Sequence, residues 1–312
     1  MFVDLKRQYR ASLKSADTEE GIDLAFYRPV GFAWAYLFRR LGISPNAVTV
    51  ASIFLGVAAG VLFYPADLWV NVIGMALLVW ANTFDSADGQ LARLTGCYSK
   101  LGRILDGLSG DLWFATIYVA ICLREIHISD FFGAHPWVIW LMALLAGGCH
   151  ARQAALADYY RQFHLYFVKG EGGSELDRAS DLAAQLRATP LRGNFWRKVM
   201  LLFYKNYTDN QELLTPAMQR LRAAMGACVR GVSPGFRDDF RAASRPLMKY
   251  TNFLTFNWRS ITLFASLAVG QPWLYFAVEL TVFNAVTAYM WWRHERICRS
   301  FSDALLSGRY DD

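Results

Sequence analysis

Residues 70–111 read VNVIGMALLVWANTFDSADGQLARLTGCYSKLGRILDGLSGD and join an apolar run, a group of aspartates and the start of a second apolar run. A helix needs about 20 apolar residues to cross the hydrocarbon core of a bilayer. The run 70–88 has about this length and reaches the first aspartates near its end. The stretch therefore predicts a membrane-spanning helix that carries carboxylates at one mouth.

Apolar runs of similar length recur along the chain, in which 54% of the 312 residues are hydrophobic. They give six candidate spans, at 47–65, 70–88, 103–123, 137–159, 253–270 and 273–292. The apolar residues in each run are continuous, as expected of helices surrounded by lipid. The sequence predicts an all-α integral membrane protein with six transmembrane helices.

The charge pattern predicts which side of the membrane each segment faces. Lys and Arg cluster in the N-terminal arm, after span two, in the region 161–249 and in the C-terminal tail. Of the other three links, 66–69, 124–136 and 271–272, only the second carries a basic residue, Arg124. Because basic loops stay in the cytoplasm, we expect both termini and the acidic mouth to be cytoplasmic, in the inner membrane if the source is bacterial. This distribution argues against nucleic acid as a partner of the net +6 chain.

The polar segments complete the predicted organisation. The divisions are a cytoplasmic arm at 1–44, spans one to four at 45–160, a cytoplasmic helical insertion at 161–250, spans five and six at 251–293, and a tail at 294–312. Within the arm, Ile22–Leu41 has the spacing of an amphipathic helix lying in the membrane interface. An ordinary surface helix packed on the spans is the alternative. We expect Gly42 to end this helix, Ser44 to cap span one and Pro45 to occupy its first turn.

Three aspartates mark the mouth of spans two and three. Asp85 and Asp88 are three residues apart and share a helical face at the end of span two. Asp106 lies at the start of span three. Since a short link joins the two spans, we expect antiparallel neighbours that bring the three carboxylates together. Acids at this depth are costly unless a cation neutralises them, and ligands made only of oxygen suit Mg²⁺ or Mn²⁺.

Small and basic residues between the aspartates predict a phosphate ligand. Gly89, Ala92 and Gly102 let a bulky group approach the backbone, and Arg93 supplies a fixed positive charge. A metal ion, an arginine and a backbone that a ligand can approach closely together suit a nucleotide diphosphate. The alternative is a set of boundary acids paired with Arg93 and Arg103.

This segment resembles the signature of the CDP-alcohol phosphotransferase (phosphatidyltransferase) family, Asp-x2-Asp-Gly-x2-Ala-Arg-x8-Gly-x3-Asp-x3-Asp. The residues that match are Asp85, Asp88, Gly89, Ala92, Arg93, Gly102 and Asp106. Six spans, the preceding amphipathic helix and the stretch Ser44–Thr49 are also similar to the family. The resemblance implies metal ligands at Asp85, Asp88, Asp106 and the last Asp, and nucleotide binding at Gly89, Ala92, Arg93 and Gly102.

The last aspartate of the signature departs from the pattern. Position 110 is Gly110, and an aspartate follows at Asp111. Five residues on a regular helix place Asp111 about 140° away from Asp106. Asp111 therefore reaches the site only if span three contains a local π-bulge. On that condition the resemblance implies that Asp111 is both the catalytic base and a metal ligand.

The resemblance implies the reaction and its partners. A CDP-linked alcohol, with CDP-diacylglycerol as the expected lipid donor, would give its substituted phosphoryl group to a hydroxyl acceptor and release CMP. Two arginines near spans four and five, Arg152 and Arg259, suit a small anionic acceptor such as inositol phosphate or glycerol phosphate. The alternative is that they snorkel or pair with acids. The family also suggests a homodimer.

Three other functions stay open at this point. A CDP-aminoalcohol transferase with a lipid acceptor would carry the same signature. A transporter could use intramembrane acids as ion sites, although such sites lie near the midplane. A membrane scaffold with a degenerate site would explain the shift from position 110 to Asp111.

Overall fold

The computed structural model describes residues 2–13, 17–98, 100–170, 176–191, 193–228 and 231–310, and in these ranges it is helical with no strand. Helices α1 to α15 are, in order, Phe2–Ser12, Arg28–Arg40, Pro45–Val61, Leu68–Thr95, Lys100–Ile128, Asp130–Ala134, Pro136–Lys169, Ala179–Ala188, Phe195–Leu214, Pro216–Ala227, Pro234–Ser244, Met248–Phe253, Phe256–Ala268, Trp273–Val278 and Asn284–Leu306. Two π-helical turns cover Asp23–Tyr27 and Glu279–Phe283, and a 3₁₀ turn covers Arg245–Leu247.

The junction between α2 and α3 forms as its sequence predicts. Gly42 has a φ of 69°, in the left-handed region that glycine favours, and it follows Leu41, the residue that caps the end of α2. The Ser44 hydroxyl then accepts a hydrogen bond from the backbone N–H of Ala47 at 3.3 Å, and Pro45 is the first residue of α3. These contacts confirm the predicted helix end, cap and first turn.

Helix α2 is anchored on one face and exposed on another. Ala35 and Phe38 are buried in a cluster with Val48 of α3 and with Ala87 and Leu91 of α4. Leu37 and Leu41 are 43% and 63% exposed. The helix thus packs on α3 and α4, as the surface-helix alternative requires, and it also keeps the free apolar residues that a helix in the membrane interface requires.

The packing of α3 against α5 depends on the absence of a side chain at Gly56. A Cβ there would lie 2.1 Å from Cδ1 of the buried Trp113. The two helices can therefore approach closely only because this residue is glycine. This contact positions α5 against α3.

Arg124 closes the opposite end of the same group of helices. Its Nη1 donates to the backbone carbonyls of Phe63 and Pro65, both at 3.2 Å, and to Oδ1 of Asn71 at 2.7 Å. Asn71 in turn donates to the Pro65 carbonyl at 2.9 Å. Arg124 is only 3% exposed, so it joins the link between α3 and α4 to α5, gives the Phe63 carbonyl a donor and gives the Pro65 carbonyl a second one.

One of the described helices, Leu68–Thr95, is long and apolar enough by length and composition to cross a membrane, and Pro45–Val61 is apolar but shorter. Helices also cover each of the other predicted spans, with α3 ending at Val61 and α7 extending to Lys169. The all-helical fold is confirmed. The count of six spans and the cytoplasmic insertion between spans four and five remain predictions.

The chain divides into two compact units, 1–148 with 256–280, and 149–255 with 281–312. The predicted divisions at 44, 160, 250 and 293 remain a prediction. Helix α7 runs through position 160 without a break, because no glycine or proline occurs between Gly148 and Gly170.

The second unit has its own buried polar contacts. Glu295 of α15 is 1% exposed and accepts hydrogen bonds from the backbone N–H groups of Ala217 and Met218, at 2.7 and 3.3 Å, at the start of α10. The neighbouring His294 stacks on Tyr160, with the ring centroids 4.0 Å apart. These contacts join helices of the segment 161–250 to α7 and α15.

Candidate functional site

Asp88 is held on α4 by the first turns of α3. The Thr49 hydroxyl donates a hydrogen bond to Oδ2 of Asp88, and Asp88 is 4% exposed. Thr49 lies one turn after the Ser44 cap and is itself buried. The same local sequence that starts α3 therefore orients one carboxylate oxygen of Asp88.

Asp85 meets the neighbouring helix α5. The Ser109 hydroxyl donates to Oδ1 of Asp85 at 2.9 Å, and Ser109 is 2% exposed. Asp85 is three residues before Asp88, on the same face of α4. Helices α4 and α5 are thus neighbours at the aspartate segment, as the short link between them predicts.

Asp106 belongs to α5, but its side chain lies outside the described part of the structure. Among the described side chains, no three His, Cys, Asp or Glu residues are grouped so that they could hold a metal ion. Asp85 and Asp88 together provide oxygen donors on one helical face, held by hydroxyl groups. These donors fit a hard divalent cation such as Mg²⁺ or Mn²⁺, which prefers oxygen ligands.

The structure places Asp111 away from this face. Helix α5 is α-helical from Lys100 to Ile128, so the π-bulge that would turn Asp111 into the site is not formed. Asp111 follows Ser109 by two residues, or about 200° around a regular helix. Since Ser109 meets Asp85, Asp111 points away from it, and its side chain is exposed. In this conformation α5 therefore lacks the π-bulge on which the predicted role of Asp111 depends.

Arg93 lies over Gly89. A Cβ at Gly89 would be 3.5 and 3.6 Å from the two terminal nitrogens of Arg93, which shows that the guanidinium folds back along α4. Its Nε donates to the backbone carbonyl of Ser12, the last residue of α1, at 2.6 Å. Its Nη2 is buried and has no hydrogen-bond partner among the described residues. A charged donor with unused hydrogen-bonding capacity beside two acids suits an anionic ligand.

The two remaining small residues of the signature lie on the facing helices. Ala92 is half-buried on α4, four residues after Asp88. Gly102 is half-buried in the first turn of α5. Both are as small as the predicted approach of a ligand to the backbone requires, and their role in nucleotide binding, like that of Gly89, stays a prediction.

The two predicted acceptor arginines lie in different units. Arg152 is exposed on α7. Arg259 is 1% exposed, and its Nη1 contacts both carboxylate oxygens of Glu279, at 2.6 and 2.5 Å. For Arg259 the structure thus shows the pairing with an acid that was the alternative interpretation. The sequence places Arg259 in span five and Glu279 in span six, which a short link joins, but it does not select this arginine as the partner.

Sequence reasoning missed the hydroxyl groups that hold the aspartates. Thr49 lies in the stretch Ser44–Thr49 that is similar to the family, but the sequence alone predicts no role for its side chain. Ser109 is three residues after Asp106, so the helical period alone would place it on the inner face of α5. The contact of Arg93 with Ser12 has no signal in the sequence, because the two residues are 81 positions apart.

Comparison with known proteins finds matches to part of the chain. Residues 42–162 match the family model described as CDP-alcohol phosphatidyltransferase. The chain is 33% identical over 119 residues to an archaetidylinositol phosphate synthase from Aeropyrum pernix, covering 36% of this chain and 52% of that protein. It is 29% identical over 102 residues to a CDP-diacylglycerol–glycerol-3-phosphate 3-phosphatidyltransferase from Cereibacter sphaeroides, covering 32% and 43%. A putative cardiolipin synthase from Mycobacterium tuberculosis is 32% identical over 108 residues, covering 33% and 47%. The chain thus spans about half the length of the curated relatives it matches.

Proposed function

Because residues 42–162 match the family model described as CDP-alcohol phosphatidyltransferase, we propose that the chain belongs to this family and is a membrane enzyme of phospholipid synthesis. It transfers a substituted phosphoryl group from a CDP-alcohol to a hydroxyl acceptor. The acceptor oxygen forms a new bond to the phosphorus distal to cytidine, the bond from that phosphorus to the CMP oxygen breaks, and CMP leaves with the electron pair. The hydroxyl proton passes to a base.

The observation that carries the proposal is the fixed pair of carboxylates on α4. Asp88 accepts from Thr49 of α3, and Asp85 accepts from Ser109 of α5, so both acids have set orientations on one face. Gly89 leaves the backbone open between them and Arg93. A pair of acids beside an arginine has little structural value at a helix end, but it suits a metal-bound diphosphate.

We assign the divalent metal, Mg²⁺ or Mn²⁺, to Asp85, Asp88 and Asp106, with Asp111 as a further ligand if α5 rearranges. When bound, the metal neutralises the charge of the diphosphate and of the leaving CMP. Position 106 precedes Ser109 by three residues on α5, which supports placing Asp106 on the side of that helix that meets Asp85. Gly89, Ala92, Arg93 and Gly102 bind the nucleotide.

Asp111 is the base in this proposal, and α5 must form a local π turn before it can act. Two glycines that precede it, Gly107 and Gly110, make the change cheap, since each glycine weakens a helix by about 1 kcal/mol relative to alanine. A Cβ at Gly107 or Gly110 would meet no atom within 4 Å, so the surroundings leave room for the helix to rotate. Without the turn, the chain would be a degenerate member of the family, and this is the second candidate that the regular α5 favours.

The donor is CDP-diacylglycerol and the acceptor a polyol phosphate. The names of two relatives support this choice, one an archaetidylinositol phosphate synthase and the other a CDP-diacylglycerol–glycerol-3-phosphate 3-phosphatidyltransferase. Arg152 is the first candidate for the acceptor phosphate because it is exposed. Arg259 is the second, since Glu279 already balances its charge. A CDP-aminoalcohol donor with a lipid acceptor is the alternative specificity.

A membrane location with the site facing the cytoplasm, and a homodimer, complete the proposal. The apolar helix Leu68–Thr95 supports the location. Large apolar side chains on several helices are also exposed, including Phe54 at 71%, Trp69 at 75% and Leu144 at 73%. Lipid would cover such residues, whereas water would leave them as costly apolar patches.

The test is CMP release by the purified chain in lipid, in Mg²⁺ and in EDTA. The donor is CDP-diacylglycerol or a CDP-aminoalcohol, and the acceptors are inositol phosphate, glycerol phosphate and diacylglycerol. We expect release with a polyol phosphate, in Mg²⁺ only. Asp88→Asn should abolish it, whereas Asp303→Asn, an exposed aspartate of α15, should not. Release with diacylglycerol and a CDP-aminoalcohol would support the alternative specificity. No release from protein that binds CDP would indicate the degenerate member.

A further inference from the structure

Arg28 is the first residue of α2 and lies outside the segment that matches the family. Its Nε donates to Oε2 of Glu19 at 2.8 Å, and the two side chains are 13% and 3% exposed. Its Nη1 donates to the Ser86 hydroxyl at 3.2 Å, next to Asp85. A mostly buried arginine is thus held against the signature helix by an acid and a hydroxyl.

The backbone around Arg28 is also fixed on α4. A Cβ at Gly31 would lie 2.8 Å from Oε1 of Gln90 and 3.1 Å from the Ser86 hydroxyl oxygen, so α2 and α4 touch at this point. Nε2 of Gln90 donates to the Arg28 carbonyl at 3.1 Å. Since both its backbone and its guanidinium contact α4, Arg28 has little freedom to turn elsewhere.

Two guanidinium groups therefore reach α4 within one helical turn. Arg28 touches Ser86, and Arg93 lies over Gly89. Ser86 and Gly89 are three residues apart, which makes them neighbours about 5–6 Å apart on the surface of a helix. Two positive charges held at neighbouring positions on one helical face repel each other, and an anion that lies beside both reduces this repulsion.

The groups around these arginines leave hydrogen-bond donors unused that such an anion could accept. Glu19 balances Arg28, while Nη2 of Arg93 is buried without a hydrogen-bond partner among the described residues. A guanidinium has five N–H donors, and Glu19 and Ser86 use two of those on Arg28. Two arginines with unused donors, one helical turn apart, match two linked phosphate groups.

We propose that Arg28 binds the distal, lipid-linked phosphate of the CDP donor, while Arg93 binds the phosphate next to cytidine. The inference rests on the proposed function. The order follows from α4, in which Ser86 lies closer than Gly89 to the apolar part of the helix, Leu68–Phe84. The acyl chains of the donor must lie in lipid, so the phosphate that carries them lies on the side of Ser86. Glu19 and Ser86 hold the guanidinium in the orientation that this phosphate needs.

The test compares the binding of CDP and CMP, which differ by that distal phosphate, to the purified full-length chain in Mg²⁺ by calorimetry. Arg28→Gln should weaken CDP binding about tenfold, the loss of roughly one charge-assisted hydrogen bond, and leave CMP binding within about twofold. Arg39→Gln removes an exposed arginine from the same helix and should change neither affinity. Arg28→Lys should show an intermediate loss of CDP affinity, because a lysine keeps the positive charge but lacks the paired N–H donors of the guanidinium.

A double variant distinguishes the loss of a phosphate contact from destabilisation of the fold. Arg28→Gln leaves Glu19 buried without its arginine, so Glu19→Gln with Arg28→Gln removes that charge and should show the same selective loss of CDP binding. Equal weakening of CDP and CMP, or no weakening of either, would overturn the role of Arg28 alone. A wild-type chain that binds neither nucleotide in Mg²⁺ would overturn the proposed function itself.

Discussion

The hydroxyl of Thr49 donates a hydrogen bond to Oδ2 of Asp88, across 39 positions of the chain. Both residues are almost fully buried, at 2% and 4% exposure. The contact fixes the second aspartate of the site relative to the helix that begins at Pro45. The orientation of a candidate metal ligand thus depends on a residue that is neither acidic nor part of the signature.

Replacing this hydroxyl should weaken metal use. Thr49→Val keeps the shape of the side chain but leaves Asp88 without its donor, which costs about 1–3 kcal/mol. We expect the Mg²⁺ concentration for half-maximal CMP release to rise about tenfold. Thr49→Ser, which retains the hydroxyl, should stay close to the wild type. An unchanged Mg²⁺ dependence in Thr49→Val would show that the hydrogen bond does not orient a metal ligand.

Asp111 and Gly110 can be tested by exchange. Asp111→Asn should lower the rate of CMP release on the order of a hundredfold, the usual contribution of a general base, with CDP affinity unchanged. The double change Gly110→Asp with Asp111→Gly moves the carboxylate to the signature position, about 100° closer to Asp106, and should be active without a π turn. Full activity in Asp111→Asn would instead exclude this residue as the base.

The buried ion pair of the first unit should behave as a unit in stability. Removing either partner, by Arg259→Met or Glu279→Gln, leaves a charged or polar group buried and should cost about 3–5 kcal/mol. The double change Arg259→Met with Glu279→Met should recover most of this loss, as measured by thermal unfolding in lipid. The KM for the acceptor, measured in the double variant, then decides the acceptor role. A KM equal to that of the wild type would assign Arg259 to stability, and a large rise would assign it to acceptor binding.

His294 should make the second unit less stable in acid. It lies beyond the last predicted span, and burial, aided by the nearby His164, lowers its pKa from 6.5 to about 3. The folded chain keeps this histidine neutral, while the unfolded chain binds a proton below its ordinary pKa. The stability that neutral His294 contributes is therefore complete above pH 6.5 and falls progressively as the pH drops toward 3.

The matched variant for this prediction is His294→Phe, which keeps an aromatic ring against Tyr160 but cannot be protonated. Between pH 7 and pH 5 the wild type should lose on the order of 2 kcal/mol more than the variant, at 1.36 kcal/mol per pH unit below the unfolded pKa. Thermal unfolding at a series of pH values measures the difference. Parallel pH curves for the two proteins would show that His294 does not carry the effect.

Local chemistry made part of the fold predictable. The end of α2 at Gly42 and the start of α3 at Ser44 and Pro45 follow from backbone preferences that act within a few residues. The neighbouring position of α4 and α5 follows from their short link. The family resemblance, drawn from the spacing of the aspartates, is confirmed over residues 42–162.

Contacts between distant residues were beyond the reach of the sequence. The partner of Glu279 is Arg259, and nothing in the local sequence selects it from the other arginines. The π turn at Glu279–Phe283 was not predicted, whereas α5 remains regular where the role of Asp111 needs such a turn. Helix period alone cannot say where one extra residue will be accommodated, because packing against neighbouring helices decides it.

The hydrogen bonds that hold Arg124 have a consequence for the insertion of the chain into the membrane. Within the described ranges, the oxygens that accept from its Nη1 belong to residues 63, 65 and 71, which leave the ribosome before the arginine does. When Arg124 is synthesised, the oxygens that accept its hydrogen bonds are already present in the chain. Its guanidinium therefore need not remain exposed while later helices are added. An arginine held by these oxygens keeps its charge but is solvated by the protein, so it need not counteract the orientation that the other basic links impose on the growing chain.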